Sequence, residues 1–284
     1  MSPFRASYLA LPVVLALACA GARAQDKPAA EVLMPSVSST AVKDPVDKSY
    51  RKMIRGMELF EQNRRMAPNA SLRYKLLPRN RATKMDGVSV DIVGETVASA
   101  VPVSRDHTFT LDRDAKAITE DASVIPNRAA GSMTWRTEIR TPGLPPNTRR
   151  LGDLRLECLV GMEAGLISNV KPVFGQIANL IIGAMDYCNR IDSQYLFFSD
   201  RPLFGVTLVN GARREVVSVD RLYAGATYDT NLRAELRYCD CEVLVERTYF
   251  LPLGDRSWPD DTLVEFEFMD DRDGRKPAQA AVSG

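Results

Sequence analysis

Ser132–Gly161 reads SMTWRTEIRTPGLPPNTRRLGDLRLECLVG, and the reading of this stretch decides the fold. Met133, Trp135, Thr137 and Ile139 alternate with Thr134, Arg136, Glu138 and Arg140. A period of two places one set on a buried sheet face and the other in water. After Pro142-Gly143-Leu144-Pro145-Pro146, Leu154, Leu156, Cys158 and Val160 alternate with Asp153, Arg155 and Glu157. The stretch therefore predicts two strands joined by a proline-rich loop.

Outward from it the chain is mostly strand-like. On the amino-terminal side, Leu72, Tyr74 and Leu76 alternate with Arg73 and Lys75. Val88, Val90 and Ile92 alternate with Ser89 and Asp91, Val101 and Val103 precede the turn Ser104-Arg105-Asp106, and Phe109 and Leu111 follow. Short strands about ten residues apart, with turn signals between them, predict an antiparallel sandwich. On the carboxyl side, Val206–Val209, Asn210-Gly211 and Val216–Val219 predict a hairpin. Cys239, Cys241, Val243 and Val245 share one strand face, Leu222–Asn231 and Leu253–Asp261 read as loops, and Val264, Phe266 and Phe268 form a last strand.

Two helices interrupt this pattern. Tyr50, Met53, Ile54, Met57 and Phe60 make one apolar stripe within a helix at about 47–66, which Pro68 and Asn69 stop. Its other face carries Arg51, Lys52, Arg55, Arg64 and Arg65, read as solvated or as facing anionic lipid. Val173, Phe174, Ile177, Leu180, Ile181 and Ala184 predict a buried helix at about 173–185, with Pro172 in its first turn. The expected fold is mainly β: antiparallel β-sandwich-like units with these two accessory helices. One unit covers 47–141 with the first helix, and the second covers 151–270. A frayed tail, 271–284, follows.

The amino terminus has a different logic. Arg5, the apolar Leu9–Ala20 and Ala22-Arg23-Ala24 have the three-part layout of a secretory signal peptide, cleaved after Ala24. The apolar run is shorter than the roughly 20 residues that span a bilayer. A lipoprotein through Cys19 is the lesser reading, because the leucine of Ala16-Leu17-Ala18 stands one place too late. Residues 25–46 read as a flexible leader rich in small residues and proline. A periplasmic or secreted protein is expected, with no transmembrane span after cleavage.

Losing Arg5 and Arg23 from the 37 basic residues leaves 35 against 36 acidic ones. That balance lacks the basic field nucleic acid requires. Four of the five cysteines remain, an even number in an oxidising compartment. Cys239 and Cys241 lie near the upper limit for bridging each other, so they are expected to bond to Cys158 and Cys188 in an order left open. A four-thiolate zinc site is disfavoured by the spacing. No metal or cofactor is expected.

The stretch Val88–Asp114, VSVDIVGETVASAVPVSRDHTFTLDRD, resembles the small transthyretin-like sandwich of carboxypeptidase regulatory domains. In that family a decorated hairpin ends in an aspartate-turn-Phe-x-Leu strand, and here His107-Thr108 replaces its glycine before the Phe strand. The resemblance covers this stretch alone and implies a structural or binding module without catalysis.

Candidate chemistry is sparse. His107 is the single histidine, so any Ser-His-Asp or Cys-His site would need it, and no nucleophile stands beside it. Walker, Gly-x-Gly-x-x-Gly and Gly-x-Ser-x-Gly motifs do not occur. Asp260 and Asp261 beside Trp258 are candidate binding or glycosidase carboxylates, with Trp135 or Trp258 as a sugar platform. Asp271-x-Asp273-Gly274 echoes a calcium loop but lacks its downstream glutamate. Arg149-Arg150, Arg155 and Arg213-Arg214 would make an anion patch if folding gathered them, though each has acids nearby. The expected function is a non-enzymatic envelope binding or scaffolding module whose partner is an envelope protein or a cell-wall glycan. The alternative is a carbohydrate- or peptidoglycan-active enzyme using the loop carboxylates.

Overall fold

Helix α1, Tyr50–Gln62, begins where the Ser49 hydroxyl accepts the Lys52 N–H, and Arg64–Met66 continues it as a tighter 3-10 turn. The computed structural model describes residues 47–129, 131–167, 183–224 and 244–271. Within them every strand pairing is antiparallel. The chain is mainly β, with few helices.

Strands β1 (Lys48–Ser49), β3 (Val90–Val93), β4 (Ala98–Val101) and β6 (Ser123–Pro126) form one sheet in the order β1-β6-β3-β4. Strands β2 (Ser71–Pro78), β5 (Thr108–Phe109) and β7 (Met133–Arg140) form a second, ordered β5-β2-β7. A short helix α2, Ala115–Thr119, starts at Asp114, whose carboxylate caps the Lys116 and Ala117 N–H groups. In the carboxyl half, β8 (Thr148–Arg150), β10 (Leu203–Asn210), β11 (Arg213–Val216) and β13 (Leu263–Phe268) make a third sheet, ordered β11-β10-β13-β8. The two-residue strands β9 (Phe197–Phe198) and β12 (Thr248–Tyr249) pair with each other.

Two cores result. Tyr50, Met53, Tyr74, Phe109, Val124 and Trp135 belong to the first. Leu154, Cys158, Phe197, Leu208, Tyr249 and Trp258 belong to the second. Both α1 and β7 run from one core into the other: Phe60 and Ile139 lie in the second while Met53 and Trp135 lie in the first.

The second half of the deciding stretch departs from its sequence reading. Residues 154–160 are not a strand; Leu151–Glu163 is helix α3, buried along almost its whole length. A helix wrapped by protein on every side has no wet face, so its sequence carries no 3.6-residue stripe. The charged residues that mimicked a period of two are instead matched one by one. Asp153 accepts the Thr141 N–H at 2.8 Å and its hydroxyl at 2.7 Å. Arg155 donates to the carbonyls of Leu253, Asp255 and Trp258 and to the Asp260 carboxylate at 2.6 Å. Glu157 meets Arg149. The start of α3 needs glycine: Gly152 donates its N–H to the Asp260 carbonyl, and a Cβ there would collide with the Met66 carbonyl oxygen. Where α3 crosses α1, Gly56 lies against Ala164 and Val160, so small residues set the close approach.

Other boundaries also moved. The β10–β11 hairpin pairs Asn210 with Arg213, so its two-residue turn is Gly211-Ala212 and its return strand is Arg213–Val216, not Val216–Val219. Gly211 takes a positive φ of 57°, which a tight hairpin turn demands. The helix expected at 173–185 does not pass through Gly183. That residue is extended, and a separate helix α4, Ala184–Cys188, starts after it. Residues 173–182 lie outside the described residues. So do Cys239, Cys241 and Val243; Val245 belongs to a 3-10 turn, Val245–Arg247.

Cys158 is bonded to Cys188, with Cα atoms 6.0 Å apart, which ties α3 to α4. This corrects the expectation that both would bond to Cys239 and Cys241. The physical reason is that α3 and α4 pack directly, so the partner is a helical neighbour and not a strand. The signal peptide, the leader, Cys19, Asp273 and Gly274 also lie outside the described residues. Among the described residues no helix is long and apolar enough to cross a membrane.

Candidate functional site

The site begins on β2 and β7. Their register sets Lys75 opposite Arg136, Arg73 opposite Glu138 and Ser71 opposite Arg140. Directly paired residues point to the same side, so these charges share one face. The sequence reading put this face in water. It is largely covered instead: Arg136 is buried, and its guanidinium stacks 4.1 Å above the Phe198 ring. The covering segment is Tyr195–Asp200, around β9. What looked like the wet side of a sheet is the floor of a cleft.

The cleft has a volume of about 260 Å³. Its walls include Leu77, Pro78, Met85 and Phe198, with Arg247 at the rim. A smaller recess of about 130 Å³ adjoins it, sharing Arg140, Arg149 and Asp200 and reaching Tyr249 and Phe266.

Four charges organise the floor. Lys75 Nζ donates to Glu138 Oε1 and to Asp200 Oδ1, both at 3.2 Å. Arg140 Nη2 donates to Glu138 Oε1 at 2.9 Å and to Asp200 Oδ2 at 2.8 Å. Each carboxylate therefore bridges the same two cations. Burial opposes ionisation of Asp200, but the Arg140 and Lys75 charges outweigh it and hold its carboxyl below the usual range. Burial likewise works against the Lys75 charge, yet Glu138 and Asp200 raise its pKa. The Asp200 backbone carbonyl accepts from Arg247 Nη1 at 3.0 Å.

Beneath this ring lies a buried pair. Glu157 Oε1 accepts from Arg149 Nη2 at 2.5 Å and from the Ile139 N–H at 2.7 Å. Arg149 Nη2 also donates to the Ile139 carbonyl. β7 is an edge strand in its sheet. The Arg149–Glu157 pair thus replaces a missing neighbour by satisfying both backbone groups of Ile139. Burial pushes the Glu157 carboxyl up, against the pull of Arg149. Burial also opposes the Arg149 charge, but Glu157 more than offsets this and pushes the guanidinium pKa up.

No protein-family model, curated protein or solved structure matches this chain.

The residues singled out in the sequence lie elsewhere. Trp135 is 3% exposed and packs edge-on against Phe109; Trp258 is 1% exposed, with the Arg213 guanidinium 3.5 Å over its ring. Neither offers a face to a sugar. Asp260 is tied to Arg155, and the exposed Asp261 accepts from Asn210 Nδ2 at 3.3 Å. The arginine patch does not form: Arg149 is paired with Glu157, Arg155 with Asp260 and Arg214 with Glu265. His107 adopts a positive φ of 62° in its turn and reaches the cleft wall. On α1, Arg51 bonds to the Ile118 carbonyl and Arg55 pairs with Glu163, so part of its basic face is engaged within the protein. Among the described residues no cluster of three or more potential ligands could hold a metal ion.

Sequence reasoning missed the cleft. A signal was present on the floor, where Arg136, Glu138 and Arg140 alternate in sign two residues apart and face Lys75. Asp200 and Arg247 had none: Asp200 lies in the short link between β9 and β10, and Arg247 ends the 3-10 turn before β12.

Proposed function

We propose that this protein is a non-enzymatic, exported binding module of the cell envelope, and that it grips its partner through the cleft over β2 and β7. The observation that carries this reading is that Glu138 and Asp200 bridge the same two cations. A general acid at neutral pH needs a raised pKa and a free proton to give: Asp200 is held low, and Glu157, pushed up by burial, is engaged by Arg149 and the Ile139 N–H. Charge-matched floor groups beneath apolar walls suit recognition. The resemblance of Val88–Asp114 to a non-catalytic regulatory domain points the same way. Export is supported by the Cys158–Cys188 bond, because disulfides persist in oxidising compartments. The loop-carboxylate enzyme loses support, because Asp260 is committed to Arg155 and both tryptophans are buried.

The test is affinity capture of the tagged, exported protein from intact envelopes, with its amino-terminal mass measured. The mature chain is expected to begin at Gln25. Leu77→Arg, which fills the cleft, is expected to lose a partner that Val216→Arg, on the exposed β11, retains. A partner held equally by both variants would place recognition elsewhere. Release of soluble sugar from cell-wall glycan would make the protein an enzyme.

A further inference from the structure

We propose that Lys75 and Arg140 form a carboxylate receptor, that Asp200 fills it as an internal stand-in, and that an acyl amino acid or peptide carboxyl terminus with an apolar last side chain displaces it. This rests on the reading of the cleft as a binding site and names the chemistry it recognises.

The geometry of Asp200 is that of a bound ligand. Its two oxygens are divided between two cations, Oδ1 on Lys75 at 3.2 Å and Oδ2 on Arg140 at 2.8 Å. Charge-assisted bonds of this kind are the strong ones. The receptor stays assembled without Asp200, because Glu138 Oε1 holds both cations from below. Lys75 and Glu138 are only 18% and 12% exposed in their side chains and stand on fully registered strands. Asp200 differs. It sits in the connection between β9 and β10 and its side chain is 51% exposed. An incoming carboxylate would make the same two charge-assisted bonds, and the displaced Asp200 side chain, already half exposed, would return to water.

The space beside the receptor defines the rest of the ligand. The cleft that contains Lys75 and Arg140 has about 260 Å³ in all, and Leu77, Pro78, Met85 and Phe198 line it alongside the charged groups, so it takes a body of amino-acid size with an apolar side chain. Arg247 also lines the cleft and donates to the Asp200 backbone carbonyl at 3.0 Å. An uncharged sugar would leave Lys75 and Arg140 unused once Asp200 moved. A dianionic phosphate would leave the apolar wall unused.

The mature full chain is titrated by calorimetry with N-acetyl-leucine, N-acetyl-leucinamide and acetate. Asp200→Ala empties the receptor, and Asp200→Asn neutralises it with little change of shape; circular dichroism confirms that each is folded. N-acetyl-leucine is expected to bind Asp200→Ala at least tenfold more tightly than wild type, with a smaller gain for Asp200→Asn. The amide is expected to show no gain, and acetate a gain from a weaker baseline. Adding Arg140→Gln to Asp200→Ala is expected to abolish the improvement. Equal affinity for acid and amide, or no gain in either Asp200 variant, would overturn the proposal. If the gain appears while envelope capture fails, the site is a receptor for small acids. If capture succeeds while the gain is absent, the cleft reads its partner by other chemistry.

Discussion

Glu157→Leu should lower the unfolding free energy by about 3–5 kcal/mol, the usual cost of leaving one member of a buried ion pair without its partner. Arg149 and Glu157 are both nearly inaccessible to solvent. Removing the carboxylate strands the Arg149 charge and takes the acceptor from the Ile139 N–H. The companion variant separates two roles of the pair. Replacing a buried pair by apolar residues is often neutral or stabilising. Here Arg149→Met with Glu157→Leu should remain less stable than wild type, because the Ile139 N–H and C=O both lose partners. Each orphaned backbone group costs about 1–3 kcal/mol. Urea denaturation midpoints at unchanged slope read the difference. A double variant as stable as wild type would mean that the pair does not cap the β7 edge.

Cys158→Ala with Cys188→Ala should cost about 3–4 kcal/mol. The bond closes a loop with a sequence separation of 30, and chain-entropy scaling for that length gives a value in this range. Both cysteines are buried in the second core, so thiol reagents should not reach them in the folded protein. The same loss is expected for protein made in a reducing cytoplasm. Urea unfolding of the oxidised, reduced and double-alanine forms measures it. Peptide mapping of alkylated, unreduced protein should recover the 158 and 188 peptides joined. A change under about 1 kcal/mol would show that the unfolded chain gains little freedom when the link is absent.

How legible each element was depended on whether its burial had one side. Helix α1 packs one stripe against the protein and shows the other to solvent, so its 3.6-residue pattern survives in the sequence. β2 and β13 keep enough of a two-residue alternation to be read with nearly correct limits. Strand β7 was also legible, but its environment was not, because the face that reads as wet lies under Phe198. Helix α3 was misread for the opposite cause: buried on every side, it has no pattern to announce itself.

By itself the sequence determined a mainly antiparallel β protein, its first helix and the approximate places of several strands, because these follow from local periodicity. Tertiary structure decided the helical form of Leu151–Glu163, the Cys158–Cys188 pairing and the cleft. Each depends on residues that meet only through folding: Arg155 with Asp260, Lys75 and Arg140 with Asp200, and the Arg149–Glu157 pair with Ile139. A charge in the sequence looks the same whether it ends in water or against a buried partner. Only the packing that excludes water distinguishes the two.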